Sequence, residues 1–120
     1  MPFEFIEDVA IADVAFRAWG AGPEEVFAAA ARATLRVMVQ DLETIAPRLE
    51  RVIHLQEGSL EYLLIDFLQE FIYYKDAEGL LLLPAEVAIR EGFHLEARLV
   101  GEALDPHRHE LLVDVKAVTM

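Results

Sequence analysis

Apolar and polar positions alternate along this chain in two distinct rhythms. In SLEYLLIDFLQEFIYY (59–74), Leu60, Leu63, Leu64, Phe67, Leu68, Phe71 and Ile72 recur at the i, i+3, i+4, i+7 spacing, the apolar stripe of an amphipathic helix. The stripe is expected to be core, with Asp66, Gln69 and Glu70 on the other face. Gly58 or Ser59 stands at the capping position. Glu61 falls in the first turn, where the helix dipole favours an anion. A second helix is predicted at roughly 23–40. Pro23 suits its first position, Glu24 and Glu25 its first turn, and Val26, Phe27, Ala30, Ala31, Thr34, Val37 and Met38 form its stripe.

The other rhythm is that of strands. Residues 3–6, 13–19 and 51–56 alternate or run apolar, and 80–90 reads as a strand interrupted at Pro84, which suits an edge or a bend. In HLEARLVGE (94–102), Leu95, Ala97 and Leu99 share one face and His94, Glu96 and Arg98 the other. In 111–120, Leu111, Val113, Val115 and Ala117 share a face, opposite Asp114 and Lys116. Strand, helix, strand, helix and then a run of strands predicts one α+β domain over residues 1–120. Two helices cover one face of a mixed, largely antiparallel sheet. Phe16 and Trp19 are expected in the core, and His54 and His94 toward solvent.

Asp13 breaks this pattern, because it is a single carboxylate inside the apolar run VAIADVAFRAWG (9–20). A buried carboxylate is costly unless paired, hydrogen-bonded or bound to a metal. Two readings follow: a ligand for a hard cation such as Ca²⁺ or Mg²⁺, or a strand end or bulge whose carboxylate accepts backbone N–H groups.

Charge narrows the function classes. Ten basic and twenty-two acidic residues give a net charge of −12. This argues against direct nucleic-acid binding, which needs clustered Lys and Arg, but suits docking onto a basic protein. With no cysteine there is neither a disulfide nor a thiolate zinc site. MPFEFIEDV does not resemble a signal peptide, and no apolar run approaches the roughly 18 residues of a membrane span. A cytoplasmic location without membrane attachment is the expectation. No Gly-rich phosphate loop or GxSxG elbow is present, so no catalytic motif is evident.

Four stretches, taken in order, resemble the archease family. ADVAFRAWG (12–20) resembles the segment in which an HTAD motif leads into a strand ending at Gly. LEYLLIDFLQEFIYYKDAEG (60–79) is similar to the family's long helix. GEALDPHRHE (101–110) follows its GE, D and RH pattern, and VKAVTM (115–120) its VKAVT. The resemblance implies an archease-like fold. It also implies a non-catalytic protein that promotes guanylylation and turnover of the RtcB-type RNA ligase. That ligase joins 3′-phosphate or 2′,3′-cyclic phosphate RNA ends with GTP and a divalent metal, in tRNA splicing and RNA repair. The resemblance assigns Asp13 to a divalent-metal site, with Ca or Mg as the ion. It assigns Glu102, Arg108, His109 and Lys116 to partner binding. Two departures stand out: Ala10 and Ile11 replace the His and Thr of HTAD, and the family's second metal-site Asp falls in a segment after Met120. The metal site implied for this sequence is therefore incomplete.

Two other readings remain open. Asp105, His107, His109 and Glu110 are either a polar turn around Pro106, with Arg108 balancing the acids, or a zinc or nickel site, and Asp13 with Asp105, His107 and His109 is the set of a small metal-dependent hydrolase. Alternatively, the chain is an interaction module with an open sheet edge that pairs with a peptide or a second copy.

Overall fold

The computed structural model describes residues 2–6, 15–112, 115 and 118, with backbone alone at Ile6 and 15–18. Asp13, Asp114 and Lys116 lie outside the described residues, as does the Phe16 side chain. The elements in chain order are strands β1 (Phe3–Ile6) and β2 (Ala15–Ala18), helix α1 (Pro23–Met38), a 3-10 helix (Leu42–Thr44), strand β3 (Leu49–Gln56), helix α2 (Leu60–Glu78), and strands β4 (Leu80–Arg90) and β5 (His94–Ala103). Both predicted helices and the predicted strands up to β5 are present within the described residues, and α2 runs about one turn past the predicted end. Of the expected last strand, Leu111 forms a bridge with Val39.

Local chemistry sets the boundaries. Pro23 opens α1 with Glu24 and Glu25 in its first turn. Ser59 caps α2, its Oγ accepting the Tyr62 N–H at 3.2 Å. Gly79 ends α2 at φ 65°, a left-handed conformation that glycine adopts without a Cβ penalty.

Among the described residues every strand pairing is antiparallel. β1 pairs with β2, and a separate three-stranded sheet has the order β3-β5-β4. Leu95, Ala97 and Leu99 of β5 and Ile53 of β3 join Phe27, Leu35, Leu63, Phe67 and Phe71 from the helices in one core. The Phe67 ring lies 5.8 Å from Phe27 and 5.0 Å from Phe71, edge-on to the latter. Each of these Leu, Ile and Phe side chains contributes about 1.5–3 kcal/mol by leaving water. α1 is buried beyond its predicted stripe, at Ala29, Ala33 and Leu35 as well, because small alanines let other elements approach it closely. Two expectations are corrected. Trp19 is 49% exposed and Leu60 38% exposed, since each lies at the end of an element, beyond the packed layer.

The other face of the three-stranded sheet carries polar side chains. Arg98 sits between Glu50 of β3 and Glu86 of β4, at 3.4 and 3.1 Å. His54 and His94 are exposed, as expected, and His54 Nδ1 lies 3.8 Å from Glu96. The β4 edge is closed by α1. Arg32 donates to the Pro84 carbonyl at 3.2 Å and Glu24 accepts the Ile89 N–H at 3.3 Å. The register shifts between Pro84 and Glu86, so the predicted interruption at Pro84 is a bulge on an edge strand, where a missing N–H costs no ladder bond.

Candidate functional site

β5 ends in GEALDPHRHE, and the chain there turns back on itself. Glu102 is only 3% exposed. Its carboxylate is fully engaged: Oε1 accepts from Arg48 Nε at 3.1 Å and from Arg108, and Oε2 accepts from the Ala46 N–H at 2.8 Å and His109 Nε2 at 2.9 Å. The Ala46 N–H, followed by the His109 and Arg108 bonds and the Arg108 charge, lowers the Glu102 carboxyl to about 2, against burial, which pushes it up.

The loop places the other partners. Asp105 Oδ1 accepts the His107 N–H at 2.9 Å, a local turn bond. The Asp105 N–H donates to His109 Nδ1 at 2.9 Å. With Nδ1 accepting, this network assigns the ring hydrogen to Nε2, which donates to Glu102. Arg108 also donates to the Thr44 carbonyl at 3.1 Å. The cluster therefore ties three segments together: the end of β5, the turn at 105–109, and the stretch after the 3-10 helix.

The structure thus brings Glu102, Arg108 and His109 into one group. Glu102 and His109 are buried, while the Arg108 side chain is 43% exposed and reaches the surface. Arg48 and the Ala46 N–H complete the group, and sequence reasoning did not identify them. They precede Glu102 by more than fifty positions, with no spacing signal to link them. The described members of the hydrolase set do not form a metal site, and Asp13 lies outside the described residues. Both nitrogens of His109 are engaged within the cluster, so the ring has none left for a metal, and among the described residues no three His, Cys, Asp or Glu side chains form a metal-holding set. Asp105 and His107 form a turn rather than a ligand pair.

A second feature lies between β3 and α2. Leu55, Asp66, Gln69, Glu70 and Tyr73 line an open groove of about 400 Å³. Glu57 borders it. The hydrogen bond that the protonated Glu57 carboxyl donates to Asp66, and then the Asp66 charge, raise Glu57 above its ordinary range. Burial, with the Asp66 charge second, raises Glu70. Negative charge is therefore crowded along this groove.

Comparison with known proteins agrees with this fold. The sequence model of the Archease protein family matches residues 3–120. The archease of Thermococcus gammatolerans is 39% identical over 111 residues, spanning 90% of this chain and 78% of that one. The archease of Methanopyrus kandleri is 38% identical over 122 residues, spanning 99% and 85%. The solution structure of Methanobacterium thermoautotrophicum protein 1598 matches with a TM-score of 0.80 at 33% identity, covering 98% of this chain and 84% of that one. With its family motifs in order and two helices packed on an antiparallel sheet, this chain belongs to the archease family.

Proposed function

We propose that this protein is an activator of the RtcB-type, GTP-dependent RNA ligase that joins 3′-phosphate and 2′,3′-cyclic phosphate ends in tRNA splicing and RNA repair. It promotes guanylylation and repeated turnover and carries out no catalysis of its own. The observation that supports this reading most is the family match over residues 3–120. The charge of −12 agrees with it, since an acidic activator is attracted to a basic RNA-binding partner. Asp13 is the residue we assign to a divalent ion, Ca or Mg, whose contribution is to hold charge at the contact with the ligase. Arg108 is the surface group of the 102–109 cluster that reaches the partner, with Glu102 and His109 fixing its position. Lys116 is assigned to the same contact.

The test is multiple-turnover joining of a 3′-phosphate RNA by the ligase of the same organism at substoichiometric enzyme, with and without this protein. The expected result is a rise in product well beyond one joining per ligase, and loss of that rise with Asp13→Ala. No rise with a protein shown folded by circular dichroism overturns the activator reading. Full stimulation by Asp13→Ala overturns the metal assignment alone.

A further inference from the structure

Two arginines converge on one buried carboxylate. Arg48 and Arg108 both donate to Glu102 Oε1, so two guanidinium groups stand against a single negative charge. With the His109 ring neutral, as its two bonds require, the cluster keeps one positive charge. The chain as a whole carries −12. The cluster is therefore a positive island on an acidic protein.

The two arginines are used differently. Arg108 reaches the surface with both terminal nitrogens engaged, one on Glu102 and the other on the Thr44 carbonyl. Arg48 donates through Nε alone, to Glu102 at 3.1 Å. Among the described residues its Nη1 and Nη2 have no partner, and Glu102 is its one ion pair. The Arg48 side chain is 70% exposed, so the free end of its guanidinium meets water. The main chain beneath it is fixed as well. The Arg48 N–H donates to the carbonyls of Ala46 and Gly101, each at 2.9 Å, and Pro47, with its φ locked by the ring, stands between Ala46 and Arg48. Arg48 is thus held from backbone and side chain beside the end of β5, with its terminal fork left open.

A fork of two parallel N–H donors matches the two oxygens of a carboxylate, and equally those of a phosphate. Charge chooses between them. A phosphate chain brings several negative charges toward a surface that repels them, whereas one carboxylate neutralises the island. The acidic surface attracts a basic partner. An acidic side chain standing among basic ones is therefore the ligand that suits both the island and its surroundings. Such a reversed pair also sets the register of docking, because any shift moves that carboxylate against acidic surface.

We propose that Arg48 is a recognition residue that binds, through its free terminal fork, a glutamate or aspartate carboxylate set in a basic stretch of a partner protein, with Glu102 and Arg108 holding it in place. Which protein that partner is rests on the activator reading; the carboxylate site does not. Its test involves neither the ligase nor RNA joining, so it fails or succeeds separately.

The probe is a lysine heptapeptide with glutamate at its centre, titrated into the ¹⁵N-labelled protein beside the same peptide with glutamine or phosphoserine there. The glutamate peptide is expected to bind roughly five-fold tighter than the glutamine peptide and to shift the Arg48 Nε–H signal. Long-range charge alone gives the opposite order, since the glutamine peptide is the more positive of the two. In Arg48→Ala the advantage of glutamate disappears, as a double-mutant cycle requires of a direct pair. Arg48→Lys keeps the charge without the fork and loses most of the advantage. Arg90→Ala, at an exposed arginine on another part of the surface, keeps it. Binding of the glutamine peptide as tight as that of the glutamate peptide, an advantage that survives in Arg48→Ala, or shifts that leave Arg48 unmoved overturn the proposal. Preference for phosphoserine with none for glutamate over glutamine overturns it in favour of a phosphate site. If Arg48→Ala does not fold by circular dichroism, Arg48→Lys and the Arg48 Nε–H shift decide.

Discussion

His109 and Glu102 face each other in the interior, Nε2 to Oε2 at 2.9 Å, while the other ring nitrogen accepts the Asp105 N–H at 2.9 Å. The imidazole is thus a bridge between a strand end and the loop that follows it. Truncating the ring in His109→Ala leaves a cavity and an unpaired Asp105 N–H, and takes from Glu102 Oε2 one of its two donors. The expected cost is roughly 2–4 kcal/mol, read by urea denaturation. Faster amide exchange at Asp105 than in the rest of the β5 region is expected alongside it. Unchanged exchange there rules out the bridge.

The pH response of Glu102 has a definite sign. Its folded carboxyl lies at about 2 against 4.5 for an ordinary glutamate, so its charge stabilises the fold above about pH 4.5. That contribution drains away as pH falls toward about 2. Glu102→Gln is expected to be less stable than the parent at pH 7, with the gap shrinking between about pH 4.5 and 2. Thermal unfolding of both proteins across that range checks it, and a gap independent of pH contradicts it.

Gly101 has a steric reason. A Cβ at this position meets the Leu81 carbonyl oxygen at 1.8 Å and the Leu82 Cα at 3.0 Å, so the β4 and β5 backbones must part to admit it. Gly101→Ala is expected to cost at least about 2 kcal/mol, with loss of protection at the β4–β5 end nearest Leu80 in hydrogen exchange. An alanine variant of parental stability shows that the strands separate freely.

Closure of the β4 edge predicts a solubility effect. Glu24→Ala with Arg32→Ala removes both caps, each worth about 1 kcal/mol or less. The variant is expected to stay folded by circular dichroism yet to associate at high concentration in light scattering, because outward groups of β4 become free to pair. A variant as monodisperse as the parent assigns the protection to the bulge at Pro84 alone.

Much of this fold is legible from periodicity. The α2 stripe and the Leu95–Ala97–Leu99 face are strong local patterns that burial simply preserves. Trp19 and Leu60 were misread because hydrophobicity says nothing of whether packing reaches an element's end. The candidate site was half legible. Glu102, Arg108 and His109 lie close in sequence, so one motif contains them all. Arg48 and the Ala46 N–H reach the same carboxylate from more than fifty positions away, through a fold no local pattern encodes. The closure of the β4 edge by Arg32 and Glu24 was hidden, since it depends on which neighbour the outward backbone groups of that strand find. Asp13, Asp114 and Lys116 fall outside the described residues.

The strand order carries a consequence for how the chain assembles. β5 is the central strand of the sheet, yet of the three it is synthesised last, and β3 and β4 are not neighbours. While a ribosome is still making residues before His94, this sheet has no pairing to begin from, and the apolar face of α2 has no sheet to cover. Once β5 emerges, the β4–β5 hairpin closes across the short turn between Arg90 and His94. β3, which must be recruited across the intervening helix, then adds as the slower step.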